Sequence, residues 1–312
     1  MSYKVTLLSQ EEMSELQPST DSQKFIMAKA DIHGICVALY AADRKMVDMW
    51  ESNFHAMSDT VWPHATIILL NDPSYETEVF YDNVGHTAIL YNFDYYGWVK
   101  SIALAVASDI LEDGYQGLSH VHGAAIDTPF GGVTLIAPSK TGKTTHSWGL
   151  LRMKGARLIT DDWYFAKVGG GYPLVYGSEK NCYIDADIGK VWHEFQPLVD
   201  SSEFDAKGRA VADIRWVTGS KSVIPMTTIR HIILLKRDAE DPDLTVELSA
   251  EEALSYLKDN NLCNPHQLIK TERKLNLRYS FFQEYLSSAN IHMVNTSGNP
   301  QTTQELIRKL IQ

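Results

Sequence analysis

Cysteine is scarce in this chain of 312 residues: Cys36, Cys182 and Cys263 stand alone, in odd number and without Cys-x-x-Cys spacing. That excludes a disulfide framework or a zinc ribbon and leaves buried free thiols as the expectation. Positive charge is also in deficit, with 28 Lys and Arg against 39 Asp and Glu for a net charge of −11. Such a balance argues against general attraction to nucleic acid or an anionic membrane surface, although a local basic pocket remains compatible with it. No run of about 20 apolar residues occurs, and the longest candidate, Ile102–Ile110, is too short to span a bilayer. The polar, acidic stretch from Met1 to Thr20 lacks the basic and apolar regions of a secretory signal, so a cytoplasmic protein is expected. Internal repeats, low-complexity tracts and a Pro/Ser/Gly-rich linker are missing too.

What is present is the composition of a folded protein, 44% apolar and 21% charged. Up to about residue 115, short apolar runs at Tyr3–Leu8, Gly34–Tyr40, Ala65–Leu70, Glu78–Tyr81 and Thr87–Tyr91 predict the strands of a smaller N-terminal α+β lobe. Helical spacing over Trp98–Leu111, with Gly114 as a left-handed stop, predicts a helix leading into a second domain over 116–312. That domain opens with a hairpin: strand His120–Ile126, turn Thr128–Gly132, strand Val133–Ala137. A loop, a helix from Thr144 to about Lys154 and a strand Arg157–Thr160 ending in Asp161-Asp162 follow, the order of a nucleotide-binding βαβ unit. Further on, Ile229–Lys236 predicts a strand, Ser249 with Glu252 a capping box opening the helix Ala250–Lys258, and Gln301–Ile311 an amphipathic helix.

Chemistry concentrates between strand and helix. Ala137-Pro138-Ser139-Lys140-Thr141-Gly142-Lys143-Thr144-Thr145 fits the phosphate-loop pattern G-x-x-x-x-G-K-[ST] at every fixed position but the first. Such a loop turns backbone N–H groups toward phosphate oxygens at the positive end of a helix. Lys143 would then reach the β- and γ-phosphates of ATP, Thr144 would ligate magnesium, and Gly142 would supply backbone freedom. The segment Lys207–Arg215 carries Lys207, Arg209 and Arg215 in an acidic chain, as a clamp for a transferring phosphate would. His120 and His122 form a His-x-His pair, but no further ligands cluster near them in sequence to make a transition-metal site. The tryptophans and tyrosines lack interleaved Lys and Arg, which disfavours a groove for single-stranded nucleic acid. Asn295-Thr296-Ser297 is a chance match to a glycosylation acceptor in a cytoplasmic chain.

His122–Ile126, Val133–Thr145 and Gly155–Asp162 together resemble the kinase domain of HPr kinase/phosphorylase and, more distantly, phosphoenolpyruvate carboxykinase. The resemblance covers about residues 118–165. It implies a mixed-sheet α/β P-loop kinase domain using ATP and Mg2+. It makes Asp161 the base that deprotonates the attacking hydroxyl, Asp162 a neighbouring carboxylate near the metal, and His122 a histidine beside the catalytic aspartate. Glu179 falls where those kinases place a magnesium-associated glutamate, although Glu179-Lys180-Asn181-Cys182 stands in place of their Glu-x-Arg-Gly. That departure argues against HPr itself as substrate. The implied activity is phosphoryl transfer to a Ser-type hydroxyl of a peptide, protein or metabolite, with the N-terminal lobe selecting the acceptor and a homo-oligomer as the default assembly. A regulatory module that binds nucleotide without turnover stays open, whereas a decarboxylating carboxykinase is disfavoured, because that family's further metal-ligating Lys and His and its substrate arginines have no counterpart here and the chain is much shorter.

Overall fold

The computed structural model describes residues 3–16, 25–115 and 117–312. Parts of the acidic N-terminal stretch, and residue 116 at the expected domain boundary, lie outside the described residues. The chain forms two compact units, one from Met1–Gln116 with Pro265–Thr271, the other from Gly117–Asn264 with Glu272–Gln312.

The first unit carries β1 (Lys4–Leu7), β2 (Ile26–Ile32), β3 (Ile35–Ala41), β4 (His55–Ala56), β5 (Ala65–Leu70), β6 (Glu78–Asp82) and β7 (Thr87–Tyr91) in one mixed sheet, ordered β1-β6-β7-β5-β3-β2-β4. Its helices are α1 (Gln10–Leu16), α2 (Arg44–Asn53) and α3 (Tyr96–Gly114). Apolar residues on nearly every side of α3, among them Ile102, Leu104 and Val106, are fully buried, as expected for a helix without a polar face. Gly114 is the last helical residue and keeps a right-handed backbone; the left-handed glycine after the helix is Gly117.

The second unit holds β8 (Leu118–Thr128), β9 (Gly131–Ile136), β10 (Arg157–Thr160), β11 (Trp163–Lys167), β12 (Leu174–Gly177), β13 (Cys182–Asp185), β14 (Arg209–Ala212), β15 (Met226–Lys236), β16 (Thr245–Glu247) and β17 (Asn290–Asn295). Its helices are α4 (Lys143–Leu151), α5 (Ile188–Val191), α6 (Gln196–Asp200), α7 (Arg215–Thr218), α8 (Ala250–Asp259), α9 (Glu272–Ser287) and α10 (Pro300–Leu310). Eight strands form a mixed sheet, β10-β8-β11-β12-β15-β17-β16, with β9 paired to both β8 and β15; β13 and β14 form a separate antiparallel ribbon. This is a mixed α/β fold.

The two long strands organise it. The first half of β8 pairs with β11, and the second half pairs with β9 on one side and β10 on the other. The strand–loop–helix–strand crossover from β9 through α4 to β10 therefore skips one strand, β8, instead of joining neighbours. Alternation along β15 divides the core between two faces. Ile233 and Leu235 pack with Trp148, Phe195 and Ile307 from α4, the turn before α6, and α10. Ile232 and Leu234 pack with Leu254, Leu257 and Phe282 from α8 and α9. Gly132 lies where a Cβ would stand 2.4 Å from the Thr228 carbonyl, so only glycine lets β9 close on β15 there. The capping box at Ser249 and Glu252 forms as its spacing predicts.

Candidate functional site

Three parallel strands lie side by side in the second unit: β15 pairs Leu234 with Ile136 of β9 and Lys236 with Asn295 of β17. Their carboxyl ends release the loop 137–142, the turn after Lys236 and the turn after Asn295. In open α/β sheets this is the edge at which ligands bind.

The loop 137–142 leaves a buried Ala137, exposes Ser139 and Lys140, and ends at Gly142, the N-cap of α4. Lys140 and Gly142 are left-handed, with φ of 68° and 96°. Interspersed left-handed residues are the backbone device that turns successive N–H groups to one side as an anion nest. The Thr141 hydroxyl donates to the Pro138 carbonyl at 2.6 Å, and the Thr296 hydroxyl donates to the Thr141 carbonyl at 2.7 Å, tying the loop to the end of β17. The Thr145 carbonyl accepts from the Trp192 indole at 2.7 Å.

Lys143 opens α4, and its ammonium ion-pairs with the Asp162 carboxylate while standing 3.4 Å from His122 Nε2. Asp162 Oδ1 is 3.2 Å from the same His122 nitrogen. His122 Nδ1 donates to the Cys263 carbonyl at 2.5 Å. Burial first, then the charge of Lys143, hold the His122 pKa below its ordinary value against the upward pull of Asp162. With Nδ1 donating to the Cys263 carbonyl, a neutral ring presents its Nε2 lone pair to Lys143 and a protonated one donates from Nε2 to Asp162. The Cys263 carbonyl is delivered by an unusual turn, with Asn261, Leu262 and Cys263 all left-handed at φ of 54°, 55° and 53°. Three such residues without glycine store strain, a pattern concentrated at functional sites. Nothing in the residue types of that turn announces it.

Asp161 and Asp162 part company. Successive residues at a strand end point to opposite sides, and while Asp162 meets Lys143, Asp161 is buried and lines a small cavity with Glu179, Asn181, Cys182 and Asp213. His122, expected beside Asp161, stands beside Asp162. Burial raises the Cys182 thiol well above its ordinary pKa, and the negative charges of Asp161, Glu179 and Asp213 push it the same way. All three cysteines are free and buried.

The three cations of the segment 207–215 separate as well. Arg215 does not line the Asp161 cavity but bonds residues of its wall, Asp213 at 2.6 Å, Asn181 at 3.1 Å and the Lys180 carbonyl at 3.0 Å. Arg209 lies on the β13–β14 ribbon, 3.4 Å from Asp185, and Lys207 caps a turn through its backbone N–H on Asp205. His120 bonds Asn264 and stacks on Trp163, whose ring also meets His122 edge-on.

Thr144 follows Lys143 in the chain and Asp162 pairs with it, and both are hard oxygen donors of the kind magnesium takes. Among the described residues no three His, Cys, Asp or Glu side chains converge to cage a metal. Magnesium in nucleotide enzymes is held by one or two side chains plus phosphate oxygens, so the donor set fits.

No protein-family profile matches this chain, and no curated protein matches it. A solved structure of the Hpr(Ser) kinase/phosphatase from Coxiella burnetii is similar over 62% of this chain and 95% of that one, with 14% identity and a TM-score of 0.35. Among the described residues, no helix is long and apolar enough to cross a membrane.

Proposed function

We propose that the chain is a phosphotransferase that moves the γ-phosphate of ATP to an alcohol, of the HPr kinase type that its motifs resemble. The observation carrying this reading is the convergence of Lys143, Asp162 and His122 at the start of α4, beside a loop with two left-handed residues, at the carboxyl ends of β9, β15 and β17.

In this reading Ser139 to Thr145 cradle the phosphates, and Lys143 leaves Asp162 to pair with the γ-phosphate. Thr144 and Asp162 would hold Mg2+, which neutralises phosphate charge when bound. The resemblance gives Asp161 the acceptor's proton, taken as the acceptor oxygen bonds to the γ-phosphorus and the bond to the β-phosphate oxygen breaks, releasing ADP; that role requires its carboxyl to turn from the buried cavity toward the γ-phosphate. Arg215 and Glu179, gathered around Asp161, place the acceptor: a cation held by Asp213 and a buried carboxylate suit a polar group beside the hydroxyl. Arg209 and Lys207 lie on the ribbon edge, where they meet an acidic part of the same substrate. The first unit selects a peptide, protein or metabolite, and a homo-oligomer is the assembly proposed for the intact protein.

The test is mass-spectrometric detection of transferred phosphate after incubating protein, magnesium and ATP with hydroxy amino acids, Ser-containing peptides and cell extract. A phosphorylated product that disappears in Asp161→Asn supports the reading. ATP binding without any product would leave a regulatory nucleotide module in its place.

A further inference from the structure

Arg237 lies outside every motif of the sequence. It follows the last residue of β15, and its Nη2 lies 3.9 Å from the Cβ that a side chain at Gly142 would carry. The strand register explains the approach: β15 runs parallel to β9, so the turn after Lys236 emerges beside the loop after Ile136.

The turn itself is fixed. Asn295 accepts from the Asp238 N–H at 3.1 Å and donates to the carbonyls of Asp238 at 2.6 Å and Asp241 at 3.1 Å. Lys236, the preceding cation, is taken up by Asp241, and Lys143 by Asp162. Arg237 is exposed, and no ion pair involves it among the described residues. The braced turn holds this exposed guanidinium beside Gly142, the N-cap of α4. Burial chiefly holds the His146 pKa below its ordinary value against the Gln304 hydrogen bond, and the charge of Arg237 adds a smaller push downward.

We propose that Arg237 is a polyphosphate-binding residue, closing on the phosphate chain of a nucleotide from the side opposite Lys143. The inference rests on the phosphate-loop reading and extends it by a residue outside the motif. A guanidinium presents paired donors that match phosphate oxygens, and a pre-positioned one loses little freedom on binding.

The experiment compares wild-type protein with Arg237→Gln and Arg237→Lys, titrated with magnesium-ATP and with inorganic tripolyphosphate, which carries the phosphates without the base. The expected result is about a tenfold loss of affinity for both ligands in Arg237→Gln, a smaller loss in Arg237→Lys, and unchanged melting temperatures without ligand. Unaltered affinity in Arg237→Gln would overturn the proposal. A loss confined to ATP would overturn it too, assigning Arg237 to the base or ribose. Wild-type protein binding neither ligand would remove the phosphate-loop reading itself, an outcome distinct from a wild type that binds and a variant that binds equally.

Discussion

The ammonium of Lys143 and the carboxylate of Asp162 are paired at the mouth of the loop 137–142, with His122 Nε2 3.4 Å from the one and 3.2 Å from the other. The pair holds the lysine in place at the start of α4. Removing one partner leaves the other partly buried and uncompensated. Asp162→Asn should therefore weaken magnesium-ATP binding, whereas Asp161→Asn should leave binding nearly intact and abolish transfer. Binding constants and product formation measured on the two variants separate the roles, and exchanged phenotypes would interchange the two aspartates.

Backbone conformation gives a second contrast. Lys140 adopts a left-handed φ of 68° on an exposed loop, a conformation that costs a non-glycine residue about 1–2 kcal/mol. Lys140→Gly should raise the unfolding free energy by roughly 1 kcal/mol, less the entropy that glycine returns to the unfolded chain. Gly142→Ala should do the reverse: at φ of 96° the new methyl would also stand 3.3 Å from His146. Denaturant melts of the two variants should move in opposite directions.

Thr296 tests the brace on the loop. Its hydroxyl lies 2.7 Å from the Thr141 carbonyl and 3.1 Å from that of Lys236. Thr296→Val keeps the shape and removes the donor, so the KM for ATP should rise several-fold, about 1 kcal/mol of lost positioning, with kcat less affected. Rescue in Thr296→Ser would assign the effect to the hydroxyl; an unchanged KM would mean the loop holds itself.

Acid should destabilise the fold. His122 and His146 both have pKa values depressed chiefly by burial. Both are neutral when folded and take up protons near 6.5 when unfolded, so the unfolded state binds more protons as the pH falls below about 6.5. Their contribution is fully present above that pH and is lost as pH drops toward the folded values. Melting temperatures should be level from pH 7 to 8 and decline below 6.5, and His146→Gln should shallow the decline.

The loop 137–142, the helix after it and the hairpin before it are legible in the sequence because each has a local cause: the Gly-Lys-Thr run, the Pro-Phe-Gly-Gly turn, apolar alternation. The capping box at Ser249 and the strand through Ile229–Lys236 are legible for the same reason. What escapes is non-local. The skipped strand in the crossover depends on β8 pairing with three partners. β2 escapes because its inward positions are mostly alanine: Ala28, Ala30 and Ile32 are buried between Lys29 and Asp31, an alternation with little hydrophobic contrast. Arg237 owes its place to strand register, and the left-handed turn Asn261–Cys263 contains no glycine to mark it. The parting of Asp161 from Asp162 follows from strand geometry that neighbouring letters conceal.

The central claim is that residues 137–145 bind nucleotide phosphates. Calorimetric titration of magnesium-ATP into wild-type protein and Lys143→Met tests it most directly. Saturable one-to-one binding by the wild type, lost or weakened at least tenfold in Lys143→Met with the fold intact by circular dichroism, is the predicted result. Absence of binding by the wild type, or equal binding by the variant, would contradict it.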